Sequence, residues 1–268
     1  MFAYIEIIRP LNCIMAALAV YIAAVVAGAG FYPSDLVIYG MFAVFSICGA
    51  GMIINDYFDI EIDSVNRPDR PLPSGRIKNN LALAYSCILF IIGISLAYMI
   101  NIYCFSMAIL ASLLLLLYPA VLKKIILLGH IAVSLLVALT FVFGGFIVMN
   151  YMPVIWLVLL AFMSNTGREI YKSIEDVLGD KKLGIKTLPM KFGVIKTRAI
   201  ASAFIILAIM FSFVPFLIGI SGYVYLLFVI IADIVFLFAV LLPTKFSSKA
   251  CKLAMLIALV AFLLGTIG

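Results

Sequence analysis

Long apolar runs, broken by short polar or Pro/Gly stretches, fill most of the chain. They fall near 10–29, 36–57, 79–100, 103–122, 126–149, 153–170, 197–219, 223–243 and 250–267. Each is close to the roughly 20 apolar residues that a helix needs to cross a bilayer. The runs are continuous, not alternating, and are too long for barrel strands, so a β-barrel is excluded. The pattern predicts an all-α membrane protein: a bundle of about nine transmembrane helices forming a single domain over residues 1–268. The first run has no basic leader and no small-residue cleavage site, so it is expected to remain as a helix.

Composition agrees with this reading. The chain is 67% hydrophobic and 11% charged, whereas a soluble domain carries about 25% charged residues. Soluble enzyme folds and disorder are therefore excluded, and membrane lipid is the expected surrounding. The net charge of +6 does not indicate a nucleic-acid partner, because it follows from where the bases sit. All 18 Lys and Arg flank alternate connections: Arg9; Arg67, Arg70, Arg76 and Lys78; Lys123 and Lys124; Arg168 through Arg198; and Lys245, Lys249 and Lys252. The connections near 30–35, 100–102, 150–152 and 219–222 contain none. Because Lys and Arg are retained on the cytoplasmic side, the N-terminus is expected inside and the C-terminus outside. The five cysteines lie singly in apolar stretches, with no disulfide or zinc spacing.

The acids concentrate at the same end. Of the 12, only Asp35 and Asp233 fall elsewhere. Asn55, Asp56, Asp59 and Asp63 run off the end of the second span. At about 100° per residue they share an arc of about 100°, with Glu61 pointing away. Carboxylates at a helix C-terminus oppose its dipole, and those at i, i+3 and i+4 repel one another. A cation must offset them, and Mg²⁺ bridging carboxylates and substrate phosphates suits such oxygen ligands. A second row follows the sixth span: Lys172, Asp176 and Asp180 at i, i+4 and i+8, with Glu169 and Ser173 on the same side. Each acidic segment then passes through bases to Leu-Pro, as Arg67 to Pro73 and Lys181 to Pro189. This is a weak internal duplication with one ligand cluster and one basic loop per half. A lone charged loop is ordinarily solvated surface; two matching acidic helix ends in so uncharged a chain point to chemistry.

These segments resemble the paired signatures of the UbiA superfamily of intramembrane prenyltransferases, N-D-x-x-D-x-x-x-D at Asn55–Asp63 and D-x-x-x-D at Asp176–Asp180. The likeness extends over essentially the whole chain. Glu6-x-x-Arg9-Pro10-x-Asn12, Arg67-Pro68-Asp69-Arg70-Pro71 and Arg168-Glu169-Ile170-x-Lys172 resemble, more narrowly, the archaeal ether-lipid branch of that family. Ser173 departs from the Asp expected in relatives, which removes one acid from the second face. The resemblance implies a central cavity that opens to the cytoplasmic side and laterally to lipid. It also implies transfer of a geranylgeranyl group from geranylgeranyl diphosphate to the hydroxyl of geranylgeranylglyceryl phosphate.

In that chemistry two Mg²⁺ ions would sit on Asn55/Asp59 and Asp176/Asp180, with Asp56 and Asp63 as further ligands or supports. Lys172, Arg67 and Arg70 are candidate diphosphate contacts, with Arg168 beside them. Arg9, in a row with Glu6 and Asn12, is the first choice for the acceptor's phosphate, and Lys123 with Lys124 the second. Glu6 is the candidate proton acceptor. The 21 Phe and 13 Tyr supply aromatic walls for an allylic cation. His130 reads as a packed histidine. Asp233, costly within a span, reads as a cavity or helix-pairing residue, as do Asn165 and Thr166. Three rivals stand beside this reading: an aromatic-acceptor prenyltransferase of quinone synthesis, a secondary transporter, and a lipid-binding scaffold without turnover. A transporter would place its ion ligands near the midplane, whereas these acids lie at one end.

Overall fold

The structure is a computed structural model that describes residues 2–175, 177 and 187–266. Its elements are helices: α1 (Phe2–Ile7), α2 (Pro10–Ala24, continued by a π-helical turn Val25–Ala29), α3 (Asp35–Phe58), α4 (Ile60–Asn66), α5 (Asn79–Ile100) and α6 (Ile102–Ala120). They continue as α7 (Leu128–Ile147), α8 (Ile155–Glu175), α9 (Leu188–Ser212), α10 (Val214–Leu217), α11 (Tyr223–Leu241) and α12 (Thr244–Leu264). No strand occurs among the described residues.

Among the described residues, eight helical segments are long and apolar enough to cross a membrane: α2 with its π-turn, α3, α5, α6, α7, α9 with α10, α11 and α12. The sixth predicted span, near 153–170, forms as α8, but its second half carries Arg168, Glu169 and Lys172. Its apolar half packs in the bundle and its polar half faces the interior of the mouth. The seventh predicted span starts earlier than 197: α9 begins at Leu188, and the chain bends at Gly193, whose φ of 80° suits a residue without a Cβ.

Packing follows from small residues, because lipid tails give helices no hydrophobic reason to associate. A Cβ on Gly144 of α7 would lie 2.6 Å from the Val20 carbonyl of α2, so the backbones approach closely there. At the acid-poor end two asparagines tie the connections. Asn101 caps α6, its Oδ1 accepting from Cys104 N–H at 2.8 Å, while its Nδ2 donates to the Phe146 carbonyl at 2.9 Å. Asn150 donates to the Ala27 carbonyl at 2.9 Å. One apolar cluster joins α2, α3, α5, α6 and α7, and a second joins α2, α7, α8, α11 and α12. A third unites α8, α9, α11 and α12. The helices thus enclose a central space and present large apolar side chains outward, as a multi-pass membrane protein must. All five cysteines are free.

Candidate active site

Asp59 is a joint, not part of a continuous helix. Its φ/ψ of −95°/9° ends α3, and α4 starts at Ile60. The expected single helical face is therefore corrected to two helices meeting at the middle acid. Asp56, Asp59 and Asp63 are nevertheless all buried, at 3%, 7% and 6% exposure, and Glu61 is exposed as expected. Ionised carboxylates this buried need partners, and each has one.

Asp56 pairs with Arg9, and with Arg70 at 3.3 Å. Arg70 also pairs with Asp63. Lys123, from the turn after α6, pairs with Asp59, whose Oδ2 also accepts from Asn55 Nδ2 at 3.1 Å. One guanidinium thus bridges the two helices on either side of the joint. Arg9 reaches Asp56 because it adopts a left-handed conformation, φ 50° and ψ 67°, between α1 and Pro10. Such a backbone is costly for a residue with a Cβ and tends to occur where function holds it. Burial pulls the Arg9 guanidinium below its ordinary value, and the Asp56 charge opposes that shift.

Behind this cluster opens a cavity of about 510 Å³. Its mouth is lined by Arg9, Asn12, Asn55, Tyr118, Arg168, Glu169 and Lys172, and its depth by Phe141, Phe143 and Phe262 among apolar neighbours. On the α8 wall, Arg168 pairs with Glu169 and donates to Asn165 Oδ1 at 3.4 Å. Asn165 in turn donates to Ser134 Oγ of α7 at 3.2 Å. Asp233 lies on the wall of the cavity and accepts from Ser212 Oγ at 2.7 Å, joining α11 to α9. His130 sits on α7, its carbonyl accepting from Ser134 at 2.8 Å.

The structure brings Arg9, Asn12, Asn55, Arg70, Lys123, Arg168, Lys172 and the first three aspartates to one end of one cavity. It does not bring Glu6 or Arg67 there. Glu6 forms a two-pronged pair with Arg76, at 2.7 and 3.0 Å, on the outer surface, and Arg67 is exposed. Glu6, expected as the proton acceptor, thus lies away from the cavity; among the described residues, the carboxylates facing the cavity are Glu169 and Asp233. Glu169 was placed in sequence on the same side as Lys172, but not as a group facing the cavity. Arg76 hydrogen bonds hold Glu6 below the usual carboxylate range. Any stability that pair supplies is present at neutral pH and lost only as pH falls through that lowered value. Glu6→Gln is accordingly expected to change turnover less than twofold in a prenyl-transfer assay; a hundredfold loss would return Glu6 to the chemistry.

The oxygen donors of Asn55 and Asp59 suit a hard divalent ion. Among the described residues no three Asp, Glu, His or Cys side chains converge on one point; Asp56, Asp59 and Asp63 each face a cation instead. The second row contributes Lys172 and Ser173 to the description; Asp176 and Asp180 lie outside the described residues.

Residues 16–265 match the UbiA prenyltransferase family, and the chain belongs to it. Within that family its relatives are specific. The digeranylgeranylglyceryl phosphate synthase of Methanopyrus kandleri is 41% identical over 267 residues, covering 97% of this chain and 98% of that protein. A solved structure of digeranylgeranylglyceryl phosphate synthase has a TM-score of 0.85 at 40% identity, covering 99% of this chain and 98% of the other. A UbiA homologue from Archaeoglobus fulgidus bound to GPP and Mg²⁺ shares the fold, with a TM-score of 0.75 at 18% identity over 99% of this chain and 100% of that one.

Proposed function

We propose that this chain transfers a geranylgeranyl group from geranylgeranyl diphosphate to the free hydroxyl of 3-O-geranylgeranylglyceryl 1-phosphate. The products are 2,3-di-O-geranylgeranylglyceryl phosphate and diphosphate. The observation that carries this reading is the buried Asp56/Asp59/Asp63 cluster, with its cations, at the mouth of an apolar cavity. The identity of about two-fifths with named synthases over nearly the whole chain supports it.

Asn55 and Asp59 would hold one Mg²⁺, and Asp176 with Asp180 a second; bound there, the ions would supply positive charge to the leaving diphosphate. The chain's own residues do the rest. Arg70 fixes Asp56 and Asp63 across the helix joint, so the carboxylates do not reorganise as charge develops. Lys123 sits at Asp59, next to the incoming diphosphate, and Lys172 faces it from α8. Phe141 and Phe143 line the apolar depth that takes the prenyl chain, while Tyr118 at the mouth offers an aromatic face to the allylic cation in a space with no stray water. The acceptor oxygen bonds to C1 of the donor as the C1–O bond breaks, and its proton leaves to a nearby base.

The whole chain acts as one transmembrane domain in the cell membrane, with the acidic mouth facing the cytoplasm. Support comes from the Lys and Arg of alternate connections, which share one end of the bundle. Labelling of single cysteines placed at Gly75 and Asn150 tests the orientation: reaction of the first only from outside would reverse it. For the chemistry, purified protein with labelled donor and Mg²⁺ is offered geranylgeranylglyceryl phosphate and 4-hydroxybenzoate in parallel. A diether phosphate product is expected. Prenylated benzoate alone would keep the metal chemistry and move the acceptor to the quinone class.

A further inference from the structure

Lys252 belongs to none of the acidic or basic motifs, and its charge is accounted for in sequence by the basic end alone. In the folded chain it lines the cavity, on a different wall from α3 and α6, together with Arg168 and Lys172. Its height is fixed by a contact. The Ser248 N–H donates to the Glu175 carboxylate at 3.3 Å, so these two residues are level. The helices run antiparallel, so four residues further along α12 and four residues back along α8 both descend about 6 Å. Lys252 therefore stands level with the stretch of α8 between Arg168 and Lys172. Cys251, its neighbour in the chain, lies within electrostatic reach of Arg168.

The cations of this wall differ from those of the first cluster. Arg9, Arg70 and Lys123 are each held by a carboxylate. Arg168 pairs through Nη1 alone, while its Nε is buried with no hydrogen-bond partner. An N–H left so is costly, and the Nε edge of a guanidinium matches an oxyanion. No ion pair or hydrogen bond engages Lys252 among the described residues.

We infer that Arg168 and Lys252 form the seat of a phosphomonoester, the headgroup of the lipid acceptor. The inference rests on the proposed reaction for the identity of that lipid. The donor's diphosphate is assigned to the α3–α4 acids with Lys123 and Lys172, so the acceptor's phosphate needs cations of its own. Of the three cations on this wall, Arg168 and Lys252 are not given to the donor, and Glu169 is the acid beside them. Seating the phosphate on α8 and α12 leaves the glycerol hydroxyl free to face the donor across the mouth, with Glu169 beside it. It also removes the need for Arg9, already committed to Asp56, to bind the acceptor.

The test compares geranylgeranylglyceryl phosphate with the corresponding alcohol, geranylgeranylglycerol, in binding and in transfer. The intact protein is expected to prefer the phosphate. Lys252→Met is expected to weaken binding of the phosphate, and raise its KM, roughly tenfold to hundredfold, the worth of a charged hydrogen bond. The alcohol and the donor KM should stay unchanged, and Lys252→Arg should recover most of the loss. Equal binding of phosphate and alcohol by the intact protein would overturn the seat. So would an equal loss for both in Lys252→Met, or a change in donor KM instead. Lys252-dependent phosphate binding without prenyl transfer would keep the seat and defeat the proposed reaction.

Discussion

Asp59→Asn is expected to give a folded protein whose kcat falls roughly 10²–10³-fold, the usual scale for removing one preorganised electrostatic group. Asparagine keeps the shape of the side chain and its reach to Asn55 and Lys123, so the α3–α4 joint has no reason to collapse. What disappears is the negative charge. Lys123 would then face a neutral amide, and its side chain is 30% exposed, so solvent relieves much of that loss. A divalent ion has no such relief, because a neutral amide binds it far less well than a carboxylate. The variant should therefore need much more Mg²⁺ for half-maximal turnover, while thermal melting in detergent stays near that of the parent. Asp176→Ala is expected to lose turnover in the same way, from the sequence pattern. Full activity of either variant in excess chelator would sink the two-metal proposal.

The apolar runs made most of the architecture legible, because a bilayer imposes one length on every crossing helix. They failed where a helix serves the cavity as well as the lipid. The second half of α8 is too charged to count as a span by composition, since Arg168, Glu169 and Lys172 face the mouth and not the hydrocarbon. The acid cluster was legible as a pattern, but not its partners. Arg9 and Asp56 meet across 47 positions, and the left-handed turn that aims Arg9 has no signal beyond the following proline. Spacing arithmetic also assumed one helix through Asp63, whereas the chain breaks at Asp59 and Arg70 returns from the loop to pair with acids on both sides of the break. Lys252 was illegible for a different reason. A lysine near the basic end of a span is already explained by orientation, and only the packing of α12 on α8 turns it toward the cavity. Asp233, expected as a cavity or helix-pairing residue, lines the cavity and accepts from Ser212, since a carboxyl in a span is costly without a partner.

Arg70 is where stability and chemistry are most tightly joined, and Arg70→Ala is expected to damage both. The guanidinium, 17% exposed, faces Asp56 at 4% and Asp63 at 8% side-chain exposure. The loop that carries it is fastened on both sides: Ser74 Oγ donates to the Arg70 carbonyl at 2.6 Å, and Ile77 N–H to the Pro71 carbonyl at 3.1 Å. Without the side chain, Asp56 keeps Arg9, but Asp63 is stranded in a buried setting. Leaving one charge of a buried pair alone costs about 3 kcal/mol, so melting in detergent should drop clearly, and turnover with it. The double variant Arg70→Ala/Asp63→Asn separates the two effects. It removes the stranded charge, so stability should recover by about 1 kcal/mol or more relative to additivity. Activity should not recover, because Asp56 and the mouth of the cavity still lack their bridge. If Arg70→Ala melts like the parent, the buried network is not what holds the α3–α4 joint. If the double variant regains turnover, Arg70 acts only through folding and has no part in holding the acids for catalysis.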